Sequence, residues 1–270
     1  MNDTVSAPDT VWTSWAVWPS SGFEVHASDG HVSLTQVDDA NFEVRTSFRY
    51  HDDGVERDLV DRLAASGVER AEAERRVDDA RHYPVGLEDE TDMASIPRFV
   101  RWFENTYGRH TLAAIIHDRL IVSKHANGGA LGSDTLADRF FREMMRTSGV
   151  PLFKRWIMWA AVAMRTRWAA GGVRRLTLAV WITAAVIGTV TAIGSLMAAI
   201  GTGNLFGWSG WALIATSLVL TVTCAPLWGR QWGASVIAAI TCPWLVPAVA
   251  VAAFGFVIYL AIEAVLERVV

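Results

Sequence analysis

The chain has 270 residues, 51% of them hydrophobic and 19% charged, with 13 Trp. Charge is divided unevenly: residues 1–153 carry a net −10, residues 154–175 carry +6 without an acid, and 54 uncharged residues separate Arg175 from Arg230. This pattern excludes a wholly soluble protein, a disordered chain and a nucleic-acid binder driven by net positive charge.

The start, MNDTVSAPDTVWTSWAVW, lacks a basic leader and a continuous apolar run, so no signal peptide is expected. Residues 9–50 read as short strands. FEVH (23–26) and HVSLT (31–35) flank Ser28-Asp29-Gly30, which predicts a hairpin, and 42–50 alternates again. Residues 58–65 and 71–81 read as two polar helices around Gly67, an inserted hairpin spanning 56–81 with a solvated, ion-paired face. A strand is expected near 82–87. Pro97 should open a helix that buries Phe99, Trp102 and Phe103.

Residues 112–122 predict a helix that is apolar nearly all round, yet it carries His117 and Asp118. Ala113, Ala114 and Ile121 flank His117 at helical spacing, so an imidazole and a carboxylate fall in apolar surroundings and need partners. Ser133 is a good N-cap for the next helix. A short Gly-rich connection between the two helices predicts an antiparallel pair in which His117 and Asp138 lie equally far from the loop. A carboxylate taking one ring N–H would fix the tautomer and leave the other nitrogen as a base. The catalytic candidates are therefore His117 and Asp138, with Asp118 and Asp92 to hold a divalent cation such as calcium. Ser95 and Arg98 would support substrate or structure. The competing reading makes Asp138–Arg142 and Arg139–Glu143 simple helix ion pairs and the His–Asp cluster a structural clamp.

The runs TDMASIPR (91–98), YG (107–108), AAIIHD (113–118) and ADRFF (137–141), followed by GVP-x-x-x-RW-x-M (149–158), resemble the phage-associated family called domain of unknown function 1353. The resemblance spans 42–167, interrupted by the inserted hairpin. It implies a bacterial or prophage setting and no assigned activity. A His-Asp pair on one helix facing an Asp on an antiparallel helix also looks like phospholipase A2. There the His is the base, the adjacent Asp binds calcium and the distant Asp orients the ring. Carried over, these are His117, Asp118 and Asp138. The tyrosine usual four residues after the His is Ile121 here. No Gly-rich calcium loop precedes the helix, a place that Asp92 and the backbone of 93–95 would have to fill.

The back half begins with PLFKRWIMWAAVAMRTRW (151–168), either a basic helix lying at a lipid interface or an ordinary last helix of the front domain with its Trp residues packed in a core. A bilayer core of about 30 Å takes about 20 apolar helical residues. Spans are expected at 176–200, 211–228 and 243–266, with Trp208 and Trp211 as an interfacial anchor. The stretch 232–266, interrupted by Pro243 and Pro247, is one long helix or a tight pair, so four spans are the alternative. Arg165, Arg167, Arg174, Arg175 and Arg230 place the N-terminal side in the cytoplasm. Cys224 and Cys242 suggest neither zinc nor a disulfide framework.

The expected architecture is α+β: a cytosolic domain (1–150) with a small sheet on a helical core, a basic juxtamembrane helix (151–175) and a three-helix membrane region (176–268). This predicts a multi-pass inner-membrane protein whose partners are the lipid bilayer and further copies of itself, without nucleic acid. Its activity would be metal-assisted ester or lipid hydrolysis, or none, as a scaffold derived from phage or a mobile element.

Overall fold

The computed structural model describes residues 14–37, 41–84, 90–91, 108–122, 130–199, 215, 219 and 222–266. It is mixed α+β, with small N-terminal sheets and a mostly helical remainder. Two compact units divide the chain: Met1–Ser95 with Thr106–Gly132 and Thr147–Gly149, and Ile96–Asn105 with Ser133–Arg146 and Val150–Val270. The helix expected after Pro97, the Gly-rich connection up to residue 129, and the Trp208–Trp211 anchor lie outside the described residues.

In the first unit, strands β1 (Ser14–Val17), β3 (Val32–Gln36), β4 (Phe42–Val44) and β7 (Glu90–Thr91) form one antiparallel sheet in that spatial order. Strands β2 (Phe23–Val25), β5 (Phe48–Tyr50) and β6 (His82–Tyr83) form a second. Among the described residues there are thus two small sheets where one was expected, and β2 and β3 do not pair as the hairpin expected around Asp29-Gly30. The turn itself exists: Gly30 N–H donates to Ala27 O at 3.1 Å, with Gly30 at φ 70°. It sends the chain from one sheet to the other. Phe23 instead pairs with Tyr50, and its ring lies 5.3 Å from Tyr50 and 6.1 Å from Phe48, which in turn stacks on Tyr83 at 5.3 Å. Aromatic cross-strand packing outweighed the local turn signal.

Burial alternates without a break from Phe42 to Tyr50, although β4 and β5 belong to different sheets. Buried Thr46 bridges the change, its Oγ1 accepting from Ser33 N–H at 3.0 Å. Helix α1 (Asp53–Ala65) is capped by Asp52, whose side chain accepts from the N–H groups of Gly54 and Val55. Val55, Leu59, Val60 and Leu63 make its buried stripe, and α2 (Arg70–Ala80) contributes Ala73, Val77 and Ala80. Helix α3 (Thr111–Val122) buries Leu112 through Ile116 and Leu120, as expected of a helix apolar nearly all round.

In the second unit, α4 (Asp134–Thr147, its last residue grouped with the first unit) buries Ala137, Phe140, Phe141, Met144 and Met145. Helix α5 (Leu152–Ala170) ends at Gly171 and Gly172, with φ of 67° and 51°, values a Cβ would disfavour. The break assigns Arg174 and Arg175 to the next helix, α6 (Gly172–Ala199). Trp159, Ala160 and Ala163 of α5 enter one cluster with Leu178, Trp181, Trp228, Ala234 and Ala238. Trp159 is thus packed in a core, but one built with the following helices rather than with the front domain, while Trp168 stays exposed.

Residues Ala225–Gln231 form a tight 3-10 segment broken at Gly229, where the second span was expected to run on to 228. Pro226 and the buried Trp228 explain the change, since the segment packs Trp228 edge-on against Trp181 at 5.0 Å. Helix α7 (Trp232–Leu266) is continuous, one long helix rather than a pair. By length and composition, Gly172–Thr191 is long and apolar enough to cross a membrane, while Ala248–Ile262 is a shorter apolar stretch. Among the described residues one candidate span is therefore found, not three or four.

Candidate functional site

Helix α3 starts from a local hydrogen-bonded turn: Gly108 N–H donates to Thr111 Oγ1 at 2.8 Å, and Thr111 N–H to Gly108 O at 3.0 Å. Three consecutive polar residues, 117–119, follow nearly two turns later, and each meets a different environment. His117 is 2% exposed, within the apolar part of the helix. Asp118 is half-buried, and its Oδ2 accepts the Thr91 hydroxyl at 2.9 Å. The pairing of β7 with β4, Thr91 opposite Phe42, sets that threonine against the helix. Arg119 donates to the Asp79 carboxylate at 2.9 Å, to Asp79 O at 2.8 Å and to His82 O, tying α3 to the end of α2 and to β6. Burial, with the charges of Arg49 and Arg119 nearby, pulls the His82 imidazole below its ordinary value of 6.5.

Asp138 is fully buried in the second unit. Its Oδ1 accepts from Thr166 Oγ1 of α5 at 3.1 Å, and its Oδ2 from Gln231 Nε2 at 2.9 Å. Thr166 and Gln231 are themselves buried, so the carboxylate is held by neutral donors from two further elements. The expected Asp138–Arg142 pair is not formed. Arg142 donates to Glu143 at 2.9 Å and lies over the rings of Trp156 and Trp159, 5.1 and 4.5 Å from their centres. Burial pushes the Glu143 carboxyl up, but hydrogen bonds from Arg142 and Arg146 outweigh it and leave it below the ordinary value of 4.5.

His117 and Asp138 belong to different compact units, and each is placed only within its own. Asp92, Ser95 and Arg98 lie outside the described residues. Of the two carboxylates expected to hold a cation, Asp118 alone is among the described residues, and its Oδ2 accepts the Thr91 hydroxyl.

The groups of His51, Asp53 and Glu56 do come within 4.8 Å of one another. However, Glu56 Oε1 takes Arg81 Nη1 at 2.8 Å and the Asp52 N–H at 3.3 Å, and the same Arg81 nitrogen lies 3.3 Å from His51 Nδ1. A fixed guanidinium stands where a cation would have to bind, which makes this cluster an ion-pair clamp between α1 and α2. A cavity of about 700 Å³ in the first unit is lined by Trp15, Trp18, Ser20, Arg109 and Ser148 among others; His117 is not a lining residue.

Thr91, Thr166 and Gln231 were not singled out by sequence. Gln231 had a signal: it is a lone amide beside Arg230 in an otherwise apolar stretch. Thr91 was read only as the first residue of the TDMASIPR run and Thr166 only as part of the 151–168 helix, because a threonine's partner is set by what packs against it.

Strands β6 and β7, helix α3 with its His117-Asp118 pair, helix α4 and the start of α5 lie in the segment that matches a known family. Residues 72–162 match the family described as "Protein of unknown function (DUF1353)". The resemblance read from the motifs is shown over that range. The match starts inside α2, so part of the hairpin first read as inserted lies within it. No curated protein matches, and no solved structure matches.

Proposed function

We propose that the chain is a membrane-anchored, non-enzymatic module in which buried polar groups fasten helices together. The observation that carries this is Asp138: fully buried, with each carboxylate oxygen already accepting a hydrogen bond, from Thr166 and from Gln231. A buried charge bound this way orders its surroundings, because losing it strands two donors. Membrane anchoring is supported by α6. Leu178, Trp181 and Ala185 are buried, while Val180, Ile182, Val186, Ile187 and Val190 remain exposed, an apolar face suited to lipid. Further apolar side chains on α7, Phe254, Val257 and Ile258 among them, are exposed as well. Together with the arginines before Leu176, this supports a multi-pass inner-membrane protein with a cytoplasmic N-terminal side and helix-mediated self-association.

The second reading is metal-assisted hydrolysis of an ester or lipid, with His117 as base and Asp138 as its orienting acid. Asp118, Asp92, Ser95 and Arg98 would complete that site. Its support is the hydroxyl that Thr91 lends to Asp118 next to His117. One experiment separates the two. The full chain is purified in a neutral detergent, assayed with p-nitrophenyl esters and phospholipid vesicles with and without calcium, and melted alongside His117→Ala. The structural reading expects no turnover and a lowered melting temperature in the variant. Calcium-dependent hydrolysis that His117→Ala abolishes overturns it.

A further inference from the structure

A cavity of about 390 Å³ opens where the end of α5, the start of α6 and the 225–231 segment meet. Its wall carries three arginines, Arg167, Arg174 and Arg230, with the hydroxyls of Ser133, Thr135 and Thr177, and no carboxylate. Most of the wall comes from the stretch between Glu143 and Glu263, which contains no acid; Ser133 and Thr135 flank Asp134, which is not a lining residue.

Arg167 is 8% exposed and is held rigidly by neutral acceptors. It donates to Trp228 O at 2.9 Å, to Leu227 O at 2.8 Å and to Thr177 Oγ1 at 2.9 Å, with its guanidinium 5.6 Å from the Trp228 ring centre. Its Nε is buried without an acceptor. Among the described residues no ion pair joins Arg167, Arg174 or Arg230 to an acid. Asp138 is engaged by Thr166 and Gln231, which line the cavity, but is not itself a lining residue. A guanidinium that is desolvated, fixed and left without a counter-charge is costly unless an anion comes from outside the chain.

We infer that this cavity binds a phosphate group, and that the group is the headgroup phosphate of an anionic phospholipid. Phosphate suits the wall: it is anionic, it accepts forked bonds from guanidinium, and hydroxyls can complete its shell. The level suits a lipid. Val173, Arg174 and Thr177 of the wall stand in the first turns of the candidate span Gly172–Thr191. Beside them Arg175 lies over the exposed Trp168, 5.2 Å from the ring centre, an arrangement typical of a headgroup layer. The lipid source rests on the membrane anchoring proposed above; the phosphate chemistry does not.

The test uses the full chain in neutral detergent. Its melting temperature is followed while phosphatidylglycerol, phosphatidylcholine or inorganic phosphate is added, and flotation with pure phosphatidylcholine vesicles reads anchoring separately. Phosphatidylglycerol should stabilise the chain where phosphatidylcholine does not. Arg174→Gln combined with Arg230→Gln, two exposed side chains, should keep the fold and weaken the apparent affinity about tenfold or more. Arg62→Gln, on α1, should leave it unchanged. A response to inorganic phosphate alone, lost in the double variant, keeps the phosphate site and assigns it a soluble source. Equal shifts with both lipids and none with phosphate, or a phosphatidylglycerol response retained in the double variant, overturns the proposal. Failure to float while the phosphate response survives removes the anchor and leaves the site.

Discussion

Arginine meets opposite company in the two units. In the first, Arg62 faces Asp58 at 2.8 Å, Arg76 faces Glu72 at 2.7 Å, Arg81 bridges Glu56 and Asp78, and Arg119 binds Asp79. Most of these pairs are at least partly in water, where each contributes little. In the second, Arg142 and Arg146 share Glu143, but past that acid Arg167 binds two backbone carbonyls and a threonine, and among the described residues Arg174 and Arg230 pair with no acid. The same side chain is decoration on the solvated helices of α1 and α2. Where acids are missing from the sequence it becomes a fixed, uncompensated charge. Burial also draws Arg167 below its ordinary value, with Arg174 adding to the effect, though a guanidinium keeps its proton.

This contrast can be broken or sharpened by substitution, and the largest effect should come from the buried acid. Asp138→Ala strands the Thr166 and Gln231 donors and should cost about 3 kcal/mol in denaturant unfolding, with Asp138→Asn milder. An unchanged midpoint would remove the clamp. Next is Arg167→Met, which deprives the carbonyls of Leu227 and Trp228 of a donor and should cost about 2 kcal/mol. The expectation fails if the variant is as stable as the parent.

A smaller, pH-dependent effect belongs to the first unit. Its folded state favours neutral His82, so the unfolded chain binds the proton more readily and stability falls as pH drops below 6.5. Melting curves between pH 7.5 and pH 5 should show a decline that His82→Gln reduces; identical pH profiles would contradict the assignment. The smallest effect should be Arg62→Ala, about 0.5 kcal/mol or less for an exposed pair four residues apart. A loss as large as that of Arg167→Met would erase the distinction between the units.

The helices α1, α2, α3 and α4 were readable because their signals are local, apolar spacing and Ser133 before α4, although α1 starts at Asp53 rather than 58 because its Asp52 cap went unread. The strands were readable as strands, but their partners were not. Phe23 had a turn of the right kind beside it and still paired with Tyr50, because three aromatic rings gather there. The candidate site divided the same way. His117 and Asp118 stood out as polar residues on an apolar helix, and their burial and half-burial follow from that position. The partners of Asp138 did not stand out, being 28 and 93 residues distant in the chain.

By itself the order of residues determined the acid-free stretch between Glu143 and Glu263, the apolar run that α6 uses for its candidate span, and the surplus of arginine ahead of Leu176. These are counts, and no folding can alter them. Tertiary structure alone decided that Gly171 and Gly172 would move Arg174 into α6, that Trp228 would turn inward, and that Arg167 would lie between carbonyls. Such outcomes depend on which distant surfaces exclude water from one another, a property of the packed chain that no short window of sequence contains.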